Sequence, residues 1–132
     1  MTIKKILLLS IVLLSIGISV FAFRKYKTPA EMKCAKAVTY SEMAYVQFKK
    51  AYRANSEEVA QRLIKKGLDQ IKEASVYAVQ CECTTSETYA LTAYTIARKA
   101  SEAATMDELK PQIKKAMDLS MDAMHAAQKC NK

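Results

Sequence analysis

Glycine and proline are nearly missing from this chain: Gly17 and Gly67 are its only glycines, and Pro29 and Pro111 its only prolines, in 132 residues. Tryptophan is absent and His125 is the single histidine. One glycine beyond residue 22 leaves nothing from which to build a Gly-rich phosphate loop. With no nucleophile–base pair and no clustered carboxylate dyad, a catalytic assignment has nothing to rest on, so neither enzymatic activity nor a cofactor is expected. Cysteine is sparse too, limited to Cys34, Cys81, Cys83 and Cys130. None of these lies near the end of the N-terminal apolar stretch, so a lipoprotein is not indicated.

What is present begins with an export pattern. Lys4 and Lys5 precede an apolar run from Ile6 to Ile16 interrupted by two serines, and Val20-Phe21-Ala22 offers the small or modest residues that a signal peptidase reads. Residues 1–22 are therefore expected to be a signal peptide, with 23–28 a basic linker. The competing expectation is an uncleaved anchor, because residues 3–23 are long enough to span a bilayer as a helix and would then give membrane contact. Arg24, Lys25 and Lys27, which follow directly, are a handicap to export. Either way the remainder belongs outside the cytoplasm, periplasmic or secreted in the first case and membrane-anchored in the second.

Removing 22 residues from 132 leaves 110, the length of one domain. Its charge is 19 basic residues (21 less Lys4 and Lys5) against 13 acidic, or +6. It is rich in Ala, Lys, Glu, Gln and Met, which favours an all-α fold.

The chain also repeats itself. A shift of 49 residues lays Cys34 on Cys83 and Cys81 on Cys130, "TYSEMAY" (39–45) on "TYALTAY" (88–94), and "IKKGLD" (64–69) on "IKKAMD" (113–118). Between Cys34 and Cys81, 15 of 48 positions match without a gap. Each copy, about 34–81 and 83–130, reads as a helical hairpin. The first helix places Cys34, Ala37, Val38, Ser41, Ala44, Tyr45, Phe48, Ala51 and Tyr52 on one face. The second is expected to be capped by Asn55 with Glu58 and to turn inward Ala60, Leu63, Ile64, Gly67, Ile71, Ala74, Ala78 and Cys81. Thr84 with Glu87 and Thr105 with Glu108 repeat the capping spacing for the third and fourth. The third turns inward Tyr89, Ala93, Ile96, Ala97, Ala100 and Ala103; the fourth Leu109, Ile113, Ala116, Met117, Ser120, Met124, Ala127 and Cys130. Pro111 either removes one hydrogen bond from this last helix or delays its start. Turns of two or three residues between such helices predict an antiparallel up-down-up-down four-helix bundle over 29–132.

That fold gathers all four cysteines at one end. A Cys81–Cys83 bridge would close a strained small ring, and the repeat favours clamping each hairpin on itself, so Cys34–Cys81 and Cys83–Cys130 disulfides are expected. Four thiolates holding zinc or copper(I) are the rival, disfavoured by export and by the lack of paired Cys-x-x-Cys knuckles. Met32 and His125 are the pair that a haem-binding bundle would use. However, Lys114, Asp118, Asp122, His125 and Lys129 share one polar face, and the repeat matches His125 to Val76. Met117, Met121 and Met124 read as core or core-edge residues, as do the tyrosine pairs Tyr40/Tyr45 and Tyr89/Tyr94.

The charges are lopsided. Lys49, Lys50, Arg53, Arg62, Lys65 and Lys66 against Glu57, Glu58 and Asp69 make residues 49–69 net +3. Arg98, Lys99, Lys110, Lys114 and Lys115 against Glu102, Asp107 and Glu108 make 98–115 net +2. The cysteine half, without the tail at 24–27, has 7 acidic and 5 basic residues and is −2. The plain explanation is a solvated surface; the sharper one is a basic tip for an anionic surface or an acidic protein partner. Nucleic acid is not expected, since the chain leaves the cytoplasm and the basic residues are not interleaved with exposed aromatics.

Overall fold

The computed structural model describes residues 29–130, with side chains from Lys33 onward. The expected signal peptide or anchor at 1–22 and the linker at 23–28 lie outside the described residues. Among the described residues there are four α-helices and no strand: α1 (Pro29–Tyr52), α2 (Glu57–Gln80), α3 (Thr84–Ser101) and α4 (Met106–Cys130). Each helix packs on the next and α4 returns to α1, while the diagonal pairs barely meet. The turns, 53–56, 81–83 and 102–105, are three or four residues long and force antiparallel neighbours. The expected up-down-up-down bundle is the fold. None of the described helices is long and apolar enough to cross a membrane.

Ser75, Ala103 and Ala126 apart, the buried positions keep a strict rhythm. They are Cys34, Ala37, Ser41, Ala44, Phe48 and Ala51 on α1, and Ala60, Ile64, Gly67, Ile71, Ala74 and Ala78 on α2. On α3 they are Cys83, Ser86, Ala90, Ala93, Ala97 and Ala100, and on α4 Leu109, Ile113, Ala116, Ser120, Ala123 and Ala127. Steps of three and four alternate throughout, the 3.5-residue period of a coiled-coil seam. Adding 49 to each number on α1 and α2 gives the set on α3 and α4, so the duplication holds for this seam even where residues differ.

The expected inner faces are wider than this seam and in places misplaced. Val38, Tyr45, Leu63, Tyr89, Ile96, Met117 and Met124 are half-buried flanks, and Tyr52 and Cys130 are exposed. Ser86, Ala90 and Ala123, missing from the expected faces, lie fully inside. With alanine, serine and glycine filling most of the seam, a narrow stripe suffices to occupy the space between helices. Large fully buried apolar side chains are few: Phe48, Ile64, Ile71, Leu109 and Ile113. Beneath the cysteines a separate small cluster consists of Ala37, Ala78 and Ala127, flanked by Val38 and Tyr77.

Two helix starts differ from expectation. Ser56, not Asn55, caps α2, its hydroxyl accepting from the Val59 N–H at 3.3 Å. Cys83, not Thr84, is the N-cap of α3 and makes no side-chain capping bond, its sulfur being committed to Cys130. The fourth helix opens as the capping pattern predicts. Thr105 Oγ1 accepts from the Glu108 N–H at 3.3 Å, and Glu108 Oε2 accepts from the Ala104 N–H at 3.2 Å. Pro111 sits inside α4 on its exposed side, so the helix runs through it and forgoes one backbone bond.

Disulfides Cys34–Cys81 and Cys83–Cys130 close each hairpin on itself, with Cα atoms 5.4 and 6.0 Å apart. Between them the backbone makes a Schellman turn. Cys81 is the C-cap of α2, and Glu82 takes φ 59°. The Glu82 N–H bonds Val79 O at 3.0 Å, and the Cys83 N–H bonds Ala78 O at 2.9 Å. The Cys-x-Cys spacing is thus a C-cap, one left-handed residue and the N-cap of the following helix. Two such bridges indicate an oxidising, extracytoplasmic environment.

Candidate functional site

Helix polarity explains part of the charge pattern at the end distal to the disulfides. There α1 and α3 finish with Lys49, Lys50, Arg98 and Lys99 in their last turns, while α2 and α4 start with Glu57, Glu58, Asp107 and Glu108. Each sign sits where the macrodipole favours it. Arg62, Lys65, Lys66, Lys110, Lys114 and Lys115 are different. They stand on the N-terminal halves of α2 and α4, where a cation gains nothing from the dipole, and all are exposed.

The fold brings these cations to one depth but not to one flat face. Lys65 and Lys66 fall between the buried Ile64 and Gly67, and Lys114 and Lys115 between Ile113 and Ala116, so each pair points outward from its helix. Because α2 and α4 occupy diagonal corners, the two pairs flank opposite sides of the bundle. The expected tip is therefore a belt around the distal half. Among the described residues, two of its cations are ion-paired: Arg98 with Glu102 at 3.9 Å and Lys114 with Asp118 at 2.7 Å. The hydrogen bond to Asp118 holds the Lys114 ammonium above its ordinary pKa.

Apolar surface accompanies the belt. Tyr52, expected on the inner face, is 37% exposed beside Arg53, and Val59 is 38% exposed. A hollow of about 210 Å³ lies along α2, with Val59 and Leu63 as its apolar lining and Arg62 and Lys66 at its edges. The Lys49 ammonium lies 5.6 Å from the centroid of the Tyr45 ring. The sequence carries this mixture as Tyr52 next to Arg53 and as Val59 and Leu63 at helical spacing from Arg62 and Lys66, legible as flanking positions once the seam is known to be narrow.

At the opposite end, the proposed metal ligands are accounted for differently. All four cysteines are in disulfides, so no free thiolate set exists there. Met32 lies outside the residues with described side chains, and His125 is exposed on α4 as its polar face predicts. His125 borders a groove of about 440 Å³ between α3 and α4, lined by Thr85 and Tyr89 on one side and Asp122, Ala126 and Lys129 on the other. The corresponding place between α1 and α2 is filled: Tyr77 stacks on Tyr40 with centroids 5.4 Å apart and planes at 12°, and Lys36 lies 5.0 Å from the Tyr77 centroid. The tyrosine pairs read from sequence did not include Tyr77, although its mismatch with Ala126 across the repeat was the signal that sets it apart.

Comparison with known proteins finds no matching family model, no matching curated protein and no matching solved structure.

Proposed function

We propose that this chain is an exported, non-catalytic binding protein, released into the periplasm or beyond by cleavage after residue 22, whose basic distal half docks on an anionic surface. The observation that carries the reading is the outward placement of Lys65 and Lys66 and of Lys114 and Lys115, in equivalent positions of both hairpins where helix polarity does not call for them. The exposed apolar residues Tyr52 and Val59 among these cations suit a membrane interface, where lysine and arginine reach headgroup phosphates while apolar side chains meet the acyl boundary.

The test is adsorption of the protein to vesicles containing anionic phospholipid, for the native chain and for a variant with Lys65, Lys66, Lys114 and Lys115 all changed to Glu. The expected outcome is loss of adsorption at unchanged thermal stability, with each pair alone giving a partial loss. Native binding should also weaken as salt rises, since exposed charges act over about 8 Å at physiological ionic strength. Adsorption that survives both the fourfold reversal and high salt would overturn the reading.

A further inference from the structure

The two hairpins are copies, and at one place their packing differs in a way that leaves an open groove. In the first copy, Tyr40 of α1 carries Tyr77 of α2 stacked on its face, with the Lys36 ammonium over the outer ring. Shifted by 49, Tyr40 becomes Tyr89, Tyr77 becomes Ala126 and Lys36 becomes Thr85. The second copy therefore keeps the base of the stack and lacks its upper ring. The groove of about 440 Å³ lies where that ring would be, beside Tyr89 and above Ala126. This volume falls within the range of small-molecule sites.

We infer that the α3–α4 groove binds a small phenolic molecule, whose ring stacks on Tyr89 in the position that Tyr77 takes on Tyr40. The chain itself shows that this backbone arrangement accepts a 4-hydroxyphenyl ring, because one copy already holds one. Offset-stacked aromatic pairs add specificity beyond area burial, so the ring's planarity matters as well as its apolarity. The second copy has also changed the surroundings. Val76 and Gln80 become His125 and Lys129, so the groove gains a ring nitrogen and an ammonium beside Asp122. These groups and the Thr85 hydroxyl offer donors and acceptors to a phenol and its substituents. The Tyr89 ring and Ala126 are the apolar part of the lining, and Thr85, Asp122, His125 and Lys129 make the rest of it polar. The inference is independent of the basic belt, which lies at the other end of the bundle.

The probe is p-cresol, the tyrosine side chain as a free molecule, titrated into the oxidised protein and followed by amide chemical shifts. Saturable shifts confined to residues 85–89 and 122–130 are expected. The variant Ala126→Tyr supplies the missing ring from the chain, so it should melt higher and lose those shifts. Tyr77→Ala should open a second site at Tyr40, seen as a second saturable set around 36–40. 4-Methylcyclohexanol, of similar size but not planar, should bind about fivefold more weakly. Should Tyr77→Ala fail to fold, Ala126→Tyr still decides. Absence of saturable shifts in the native protein, shifts undiminished in Ala126→Tyr, or equal binding of the saturated analogue would each overturn the inference.

Discussion

Phe48 and Gly67 show how single residues set the packing between α1 and α2. A Cβ built on Gly67 would meet Phe48 Cε1 and stand 2.7 Å from Cδ1 and 2.9 Å from Cζ, distances that real contacts do not reach. The second copy has Ala97 and Ala116 at these positions, so one large-and-small pair answers two small residues. Gly67→Ala gains about 1 kcal/mol of helix propensity but forces a fully buried ring to move, typically a cost of about 1–3 kcal/mol. The clash should win, and the variant should be less stable in denaturant melts. In a Phe48→Ala background the ring is gone and the same substitution should become stabilising. A Gly67→Ala effect of the same sign in both backgrounds would refute this packing account. The glycine was legible in the sequence as an inward residue, but its reason was not, because only coordinates show which side chain faces it. Ser56 was legible in principle: the repeat pairs it with Thr105, which caps α4, whereas Asn55 is paired with Ala104. General capping preference pointed to asparagine, and the internal copy was the better guide.

Helix by helix, cross-linking and apolar burial are distributed to opposite ends. Phe48, Ile64, Leu109 and Ile113 lie in the distal half of the seam and Ile71 just past its middle, while the layer below the bridges has Ala37, Ala78 and Ala127, flanked by Val38 and Tyr77, and the Ser86 hydroxyl, which donates to Ala123 O at 2.9 Å. Each bridge spans 47 residues of chain and contributes about 4 kcal/mol in the chain-entropy model. That is a large share of the stability of a domain this size. Reduction should therefore lower the melting temperature sharply while helical signal persists in the cold, and amide exchange should rise first in 34–41, 75–90 and 120–130. Uniform loss of protection along all four helices, or a melt within a degree or two of the oxidised protein, would contradict this division. The helices and their pairing were readable from spacing because the repeat fixes them twice. The width of the buried stripe was not, because a hydrophobic residue such as Tyr52 or Val38 can flank a seam that alanines fill.

In the molecule as a whole, each half is covalently closed and the halves share one peptide link through Glu82. What otherwise holds them is the common core, since α1 packs on α4 and α2 on α3. With a protease site introduced at Glu82, the cut oxidised protein should run as one species under native conditions and as two hairpins in denaturant. Separation of the halves in native buffer would show that the shared core is too weak to hold them. The same wiring determines how the domain carries tension. A pull applied at Cys34 and Cys130 does not travel along the helices: it crosses one bridge, passes Glu82 and crosses the other. The bridges span 5.4 and 6.0 Å between Cα atoms, and two peptide steps of about 3.8 Å join them, so the loaded path is shorter than about 20 Å. Without the bridges the same 97 residues would pay out to roughly 330 Å. Oxidised, the bundle is a short inextensible shackle whose helices hang slack beside the load.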